Sequence, residues 1–430
     1  MSHQRLLERH RQVMPSWLAL YYDEPIEIVR GEGRHVWDGE GVRYLDFFGG
    51  ILTTMTAHAL PEVVEAVREQ AGRIMHTSTL YLIESQVELA EEIAKLCPWL
   101  DTRVFFTTSG SEANEAALLL ACTARRSHQV LALRNSYHGR SFATMAITGN
   151  RGWSASALSP VNVSYVHGGY RFRSPFADLD DEGFIAACVD DLENIIATTT
   201  AGDVACLIAE PIQGVGGFTH PPDGLLSAFR EVLDAHGILL IADEVQTGWG
   251  RTGDHFWGYE AHGVTPDMIT FAKGIGNGLA LAGVAGPAEI MDHLPANSIS
   301  TFGGNPLVTA GGLANLRYVL EHDLQGNARA MGKLLHRRVN EALAGNPRVG
   351  DIRGKGLMLA LELVHPGTTK PDPQAAAQVL EAAKRRHLLI GKGGLYGNVL
   401  RVAPLLTVTE EEIETGANAL VEAVEEVTRA

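Results

Sequence analysis

The chain has 430 residues, 45% of them hydrophobic and 20% charged, with a formal net charge of −16. That length exceeds the roughly 250–300 residues that one core serves, so two domains are expected, and the acidic balance argues against nucleic acid as a partner. No run approaches the roughly eighteen apolar residues of a membrane span, and Cys97, Cys122, Cys188 and Cys206 are scattered without metal spacing, which fits a reducing compartment.

The N-terminus, Met1 to Arg11, lacks the apolar stretch of a secretory signal. A helix and then an extended arm are expected over residues 1–30. Val36 to Phe48 reads as a hairpin, two alternating runs around Asp38-Gly39 and Gly41. Pro61 to Ile74 has apolar residues at helical spacing and opens on proline. Val87 to Leu96 repeats the pattern, and neither stripe carries chemistry. Val104 to Glu115 is different. A strand runs into Ser109-Gly110-Ser111 and then into an alanine-rich helix reaching about Ala124. Small residues let backbone N–H groups approach a phosphate, and the helix N-terminus adds a favourable dipole. Alone this is a weak signal, because capping serines are common.

Val130 to Leu133 is the next strand, followed by Tyr137-His138-Gly139-Arg140. Residues 150–185 are polar, aromatic and turn-rich; they read as a loop that shapes a pocket or a dimer face. Regular helix resumes near Phe184 and runs to Thr198. Val204 to Ala209 is a buried strand ending in Glu210. Ile238 to Ala242 is a continuous apolar run ending in Asp243, the pattern of a strand buried on both faces of a parallel sheet. Ile269 to Ala272 delivers Lys273 into the glycine-rich Gly274-Ile275-Gly276-Asn277-Gly278. Desolvating an ammonium is costly unless a partner or a chemical role compensates. On this stretch alone, a lysine reaching out to solvent is the simpler reading. The other is a buried lysine that attacks an aldehyde cofactor. Ligands of such sheets bind beyond the carboxyl ends of the strands. A lysine and an aspartate at two such ends fit a pyridoxal phosphate site, the lysine taking the aldehyde carbon and the aspartate keeping the ring nitrogen protonated. Pro306 opens a helix to about Leu320, Ile352 to Leu363 alternates like a sheet strand after a tight turn, and Glu410 to Val427 is a final amphipathic helix.

Four segments together carry a family resemblance: Ile208 to Gly214, Asp243 to Gly248, Phe271 to Gly274 and Thr301 to Pro306. In this order and spacing the chain resembles the class III pyridoxal-phosphate aminotransferases, over about Val36 to Thr409. The resemblance implies an α/β enzyme of fold type I. It implies a large domain, residues 59–310, around a mostly parallel seven-stranded sheet. A smaller α+β domain would be formed by residues 1–58 and 311–430. Lys273 and Asp243 are the implied catalytic pair. Gly110 and Ser111 would hold the phosphate, Tyr137 and Val245 the two ring faces and Gln246 the ring hydroxyl, with His138 and Glu210 beside them. Thr301 would reach the neighbour's phosphate, so that a homodimer, single or paired into a tetramer, completes the site. Arg401 is the implied anchor of a substrate carboxylate. Glu210 matches a glutamate that pairs with that arginine in GABA- and ornithine-type members. Arg140 matches a carboxylate-binding arginine of acetylornithine-type relatives and reads equally well as a phosphate-region arginine.

Ile275 to Gly278 and Leu389 to Val399 look most like the alanine–glyoxylate and 3-aminoisobutyrate–pyruvate aminotransferases. The chain departs from the family at Ala57-His58-Ala59-Leu60-Pro61, where a glycine and a histidine are missing. It departs from the subgroup at Leu405, where a second proline is usual. The implied reaction is a ping-pong transfer from alanine or a beta- or omega-amino acid to a keto acid such as pyruvate or glyoxylate, in the cytoplasm and without a metal. Lyases, a decarboxylase, an aminomutase and racemases share the scaffold and stay open as alternatives. A non-enzymatic binding protein is opposed by the intact Lys273, Asp243 and Gln246.

Overall fold

The continuous apolar runs pair with one another at the centre of the molecule. In the computed structural model, which describes residues 3–429, they form one seven-stranded sheet. Its order is Thr102–Thr107, Ala282–Pro287, Met268–Phe271, Leu239–Asp243, Cys206–Ala209, Gln129–Leu133 and Asn162–Val166. Ala282–Pro287 runs antiparallel to both neighbours, and the other ladders are parallel. Leu131, Leu133, Leu207 and Leu240 enter one core, while Val130, Ala132, Ile208 and Ile241 enter another. With both faces covered, every position along these strands favours an apolar residue.

Asn162–Val166 lies inside the stretch that reads as a loop. It is the sheet's edge strand, it exposes Asn162 and half-buries the next three residues, and so it has no apolar run to announce it. The expected helices stand at Pro61–Arg73, Glu84–Lys95, Gly110–Arg125, Pro306–Glu321 and Glu410–Thr428. The helix expected from Phe184 begins at Asp181, because the Asp180 side chain caps it by accepting the Gly183 N–H. Ile352 to Leu363 is two strands rather than one. Val349–Lys355 and Met358–Leu363 pair antiparallel, and the second is buried at every position because helices Leu324–Leu343 and Pro373–Arg385 pack on it.

That hairpin joins Val399–Val402 and Gly391–Gly393 in a four-stranded antiparallel sheet. A further sheet takes Ile28–Glu32, His35–Asp38 and Arg43–Asp46 from the N-terminal part, with Leu388–Leu389 added in parallel. The first hairpin is where the sequence placed it, with Val36 opposite Tyr44. The Glu362 carboxylate, fully buried, accepts from the Tyr170 hydroxyl at 2.7 Å, Arg173 Nε at 2.6 Å and Arg353 Nη1 at 2.8 Å. Burial alone would raise its pKa, but Arg353, Tyr170 and Arg173 outweigh burial and hold it below the usual carboxylate range. Among the described residues no helix is long and apolar enough to cross a membrane.

His262 ends the short 3-10 turn Gly258–His262, and its Nδ1 accepts the Gly224 N–H at 3.2 Å. Burial lowers its pKa to about 4, against the opposing pull of Asp223. The unfolded chain therefore takes up this proton first as pH falls. His262 contributes fully above its unfolded value of about 6.5, and that contribution, up to about 3 kcal/mol, is lost toward pH 4. We predict that His262→Asn flattens the stability slope between pH 6.5 and 5 in urea unfolding; an unchanged slope would exclude His262 as its source.

Candidate active site

Four adjacent parallel strands end on one edge of the sheet, and each hands a polar side chain to it. Met268–Phe271 leads to Lys273, Leu239–Asp243 ends on Asp243, Cys206–Ala209 leads to Glu210, and Gln129–Leu133 leads to Tyr137 and His138. Lys273 opens the turn Lys273–Gly276 with a φ of +46°, in the left-handed region. Its side chain is half-buried and lines a cavity of about 1980 Å³ with Tyr137, Arg140, Gln246 and Arg401. Burial lowers the pKa of the amine; Asp243 and Glu210 oppose that shift and Arg401 adds to it. Such a lysine gives up its proton more readily than one in water. Lys273 thus lines the cavity shared with those other predicted residues.

Asp243 is 3% exposed. Its Oδ2 accepts from His138 Nδ1 at 2.7 Å and Asn114 Nδ2 at 2.8 Å, and its Oδ1 accepts the Val245 N–H at 3.1 Å. An ionised carboxylate can only accept, so His138 carries its proton on Nδ1. His138 Nε2 is then a buried acceptor without a protein partner, as is Gln246 Oε1, while Arg401 Nε is a buried donor without one. A Cβ on Gly214 would sit 2.2 Å from the Gln246 side chain, so only glycine allows that approach. At the start of helix Gly110–Arg125, Ser109 Oγ accepts the Glu112 N–H and Ser111 Oγ accepts the Arg140 N–H at 3.1 Å. Ser111 thereby keeps its own O–H free to donate.

Glu210 is buried; Oε1 accepts the Tyr137 N–H at 2.8 Å and Oε2 the Gly214 N–H at 2.9 Å. Burial raises its pKa to about 7, with His138 opposing and Asp243 adding. Arg401, 2% exposed, donates from Nη1 to Gly214 O at 3.2 Å and from Nη2 to Lys392 O at 3.1 Å. Its guanidinium lies 5.2 Å from the Phe48 ring centroid. Glu210 and Arg401 do not bond to each other here. They grip one residue, Gly214, by its N–H and its carbonyl respectively.

Arg140 is exposed at the cavity, its guanidinium 5.9 Å from the Trp17 ring. Thr301 is exposed, next to the exposed Phe302, and is not among the residues that line the cavity. Three contributors were not read from the sequence. Tyr21 stacks on Phe48 and donates its hydroxyl to the same Lys392 O that Arg401 holds. Trp153 packs edge-on against Tyr137 at 5.9 Å and lines the cavity, so the 150–185 segment does shape the pocket. Asn114 bonds Asp243. A signal for it existed: residues 114, 117, 118 and 121 form the buried stripe of the helix, and only Asn114 is polar.

This donor set fits pyridoxal phosphate. It offers an amine for an aldehyde, a carboxylate for a ring nitrogen, buried unpartnered polar atoms at His138 and Gln246, and a glycine–serine helix start for a phosphate. Fold and site together define a pyridoxal-phosphate enzyme of fold type I. Residues 20–424 match the family model "Aminotransferase class-III", and the chain belongs to that family. It is 39% identical to "Alanine--glyoxylate aminotransferase 2 homolog 2, mitochondrial" of Arabidopsis thaliana, over 98% of this chain and 86% of that protein. It is 35% identical to 4-aminobutyrate aminotransferase GabT of Escherichia coli, over 99% of each. Among solved structures, an (S)-enantioselective omega-transaminase from Thermomicrobium roseum matches with a TM-score of 0.91 at 33% identity, over 99% of each chain. A phospholyase from Arthrobacter matches with a TM-score of 0.90 at 30% identity, over 97% of this chain and 99% of that one. The chain is a pyridoxal-phosphate-dependent aminotransferase, moving an amino group from an amino donor to a keto acid.

Proposed function

We propose that the donor is an amino acid held by its carboxylate at Arg401, with Lys273 as acid–base group and Asp243 as partner of the cofactor's ring nitrogen. One observation carries this reading: the Lys273 amine, the Gln246 amide and the Arg401 guanidinium line one cavity, and Arg401 keeps a buried Nε without a partner. When bound, pyridoxal phosphate supplies an aldehyde carbon for the amino nitrogen and a ring that spreads the electrons left behind by a departing proton. Gly110 and Ser111 would hold the phosphate, Tyr137 and Val245 would flank the ring, and Gln246 would meet the ring hydroxyl. Lys273 Nζ would take the proton from the donor carbon and later return one. Burial lowers its pKa, which favours the free amine that a base needs. The planar fork of Arg401 takes a carboxylate with two hydrogen bonds. Glu210 and Arg401 both hold Gly214, which supports a switch in which the pair opens for an alpha-keto acid and closes for an omega-amine.

Alanine, a beta-amino acid or an omega-amino acid is the proposed donor, and pyruvate or glyoxylate the acceptor, with Arg140 available to a second carboxylate. Relatives named for alanine–glyoxylate and 4-aminobutyrate transfer support this range. We assign residues 59–310 to the large domain and residues 1–58 and 311–430 to the small one; pairing of Leu388 with Leu45 supports joining the two ends. We also propose a homodimer in the cytoplasm, with Thr301 serving the neighbour's site; the exposure of Thr301, Phe302 and Leu82 supports a second copy covering them. The phospholyase of the same fold makes a lyase the second reading.

The test is a titration of the cofactor-loaded protein with L-alanine, beta-alanine, 3-aminoisobutyrate, 4-aminobutyrate and ornithine, read by visible absorbance without an acceptor. One donor should remove the band, and pyruvate or glyoxylate should restore it. Arg401→Leu should raise KM for that donor roughly 30-fold or more, the lower range for truncating a buried charged partner, and spare an amine that lacks a carboxylate. A band that no donor removes, or product formed without any acceptor, overturns the proposed donor range.

A further inference from the structure

Asn114 sits one turn into helix Gly110–Arg125 and is 1% exposed. Both protons of its amide and the amide oxygen are engaged. Nδ2 donates to Asp243 Oδ2 and to His138 O, both at 2.8 Å, and Oδ1 accepts the Thr270 hydroxyl at 2.6 Å. Thr270 lies opposite Asp243 in the sheet register, on the strand that leads to Lys273.

A carboxylate has about four lone-pair sites, two on each oxygen. At Asp243 the protein fills both sites on Oδ2, through His138 and Asn114, and one on Oδ1, through the Val245 N–H. The single vacancy is on Oδ1. We propose that Asn114 is a positioning residue for Asp243: its amide holds Oδ2 away from the ligand, presents Oδ1 to the cofactor's ring nitrogen, and locks that orientation to the strand carrying Lys273. This rests on the reading of Asp243 as ring-nitrogen partner. His138, Glu210, Lys273 and Tyr137 are the titratable groups whose fields meet Asp243. Unlike them, an amide neither carries a charge nor titrates, so the orientation it enforces survives changes in their protonation. An apolar side chain of the same shape would leave Oδ2 one donor short and let the carboxylate turn about its Cβ–Cγ bond.

The experiment compares wild type, Asn114→Leu, Thr270→Val and Asp243→Asn. It reads the Kd of the apoenzyme for pyridoxal phosphate and the pH midpoint of visible absorbance in the loaded protein. Asn114→Leu should weaken the cofactor roughly 10-fold or more, the loss expected for one hydrogen bond to a charged group. It should move the pH midpoint by about one unit, an ordinary size for a perturbed carboxylate partner. Thr270→Val removes only the hydroxyl that orients the amide and should move both readouts the same way by less. If Asn114→Leu lowers thermal stability but leaves Kd and midpoint at wild-type values, Asn114 is structural and the proposal is wrong. Should Asn114→Leu not fold, Thr270→Val decides by the same two readouts. Asp243→Asn separates the levels. If it leaves the midpoint unmoved, the assignment of Asp243 itself fails; if it moves the midpoint and the other two variants do not, only the role of Asn114 fails.

Discussion

Replacing Lys273 by alanine is expected to lower turnover by roughly 10²–10⁴-fold through the lost proton transfer alone, and further through the lost nitrogen attachment. The argument is geometric before it is electrostatic. Lys273 follows a buried strand, takes a left-handed backbone conformation and lines the cavity that Gln246 and Arg401 share. Burial then lowers its pKa, with Asp243 and Glu210 limiting the shift. The limb of kcat/KM that reports the amine should therefore fall below the ordinary lysine range. Pyridoxal phosphate should still load at saturating concentration, because Asp243 and the Gly110–Ser111 helix start remain. Small added amines should restore part of the rate by entering the space the side chain leaves. Steady-state and single-turnover kinetics check both points. Turnover within tenfold of wild type would remove Lys273 from the chemistry.

Asp243→Asn should lower kcat by roughly 10²–10³-fold, the size seen when one preorganised electrostatic partner is lost. Asparagine fills the same space, and the cofactor should still load through Lys273 and the phosphate end. The charge opposite the ring nitrogen is what disappears. Two neighbours should register the change, and the pKa of each should fall. Glu210, whose pKa Asp243 helps raise to about 7, should move down toward the ordinary carboxylate range. Lys273, whose proton Asp243 helps retain, should lose it still more readily. Near-normal turnover in this variant would sink the electron-sink role.

Much of this was legible because it is local. An apolar run that ends in Asp243, Glu210 or Lys273 states burial and strand end within ten residues. Pro306, opening its helix, and the alternating hairpin around Gly39 are equally short-range. The edge strand Asn162–Val166 was not legible, since an edge needs no apolar run. Nor was the break of Ile352 to Leu363 into two strands, because it depends on the antiparallel pairing of a half-buried strand, Val349–Lys355, with a fully buried one, Met358–Leu363.

The amino-acid sequence by itself determined the buried strands of the sheet and the family, and it pointed to Lys273 and Asp243, because each is written in a contiguous motif. Only the tertiary structure decided how they are aimed. Arg401 meets Gly214 across 187 residues and Tyr21 meets Lys392 across 371. The Asn114 amide joins a helix to two strands 129 and 156 residues away. Hydrogen bonds between distant segments leave no periodicity in either one, so their direction exists only once the chain has folded and buried the groups that must be satisfied.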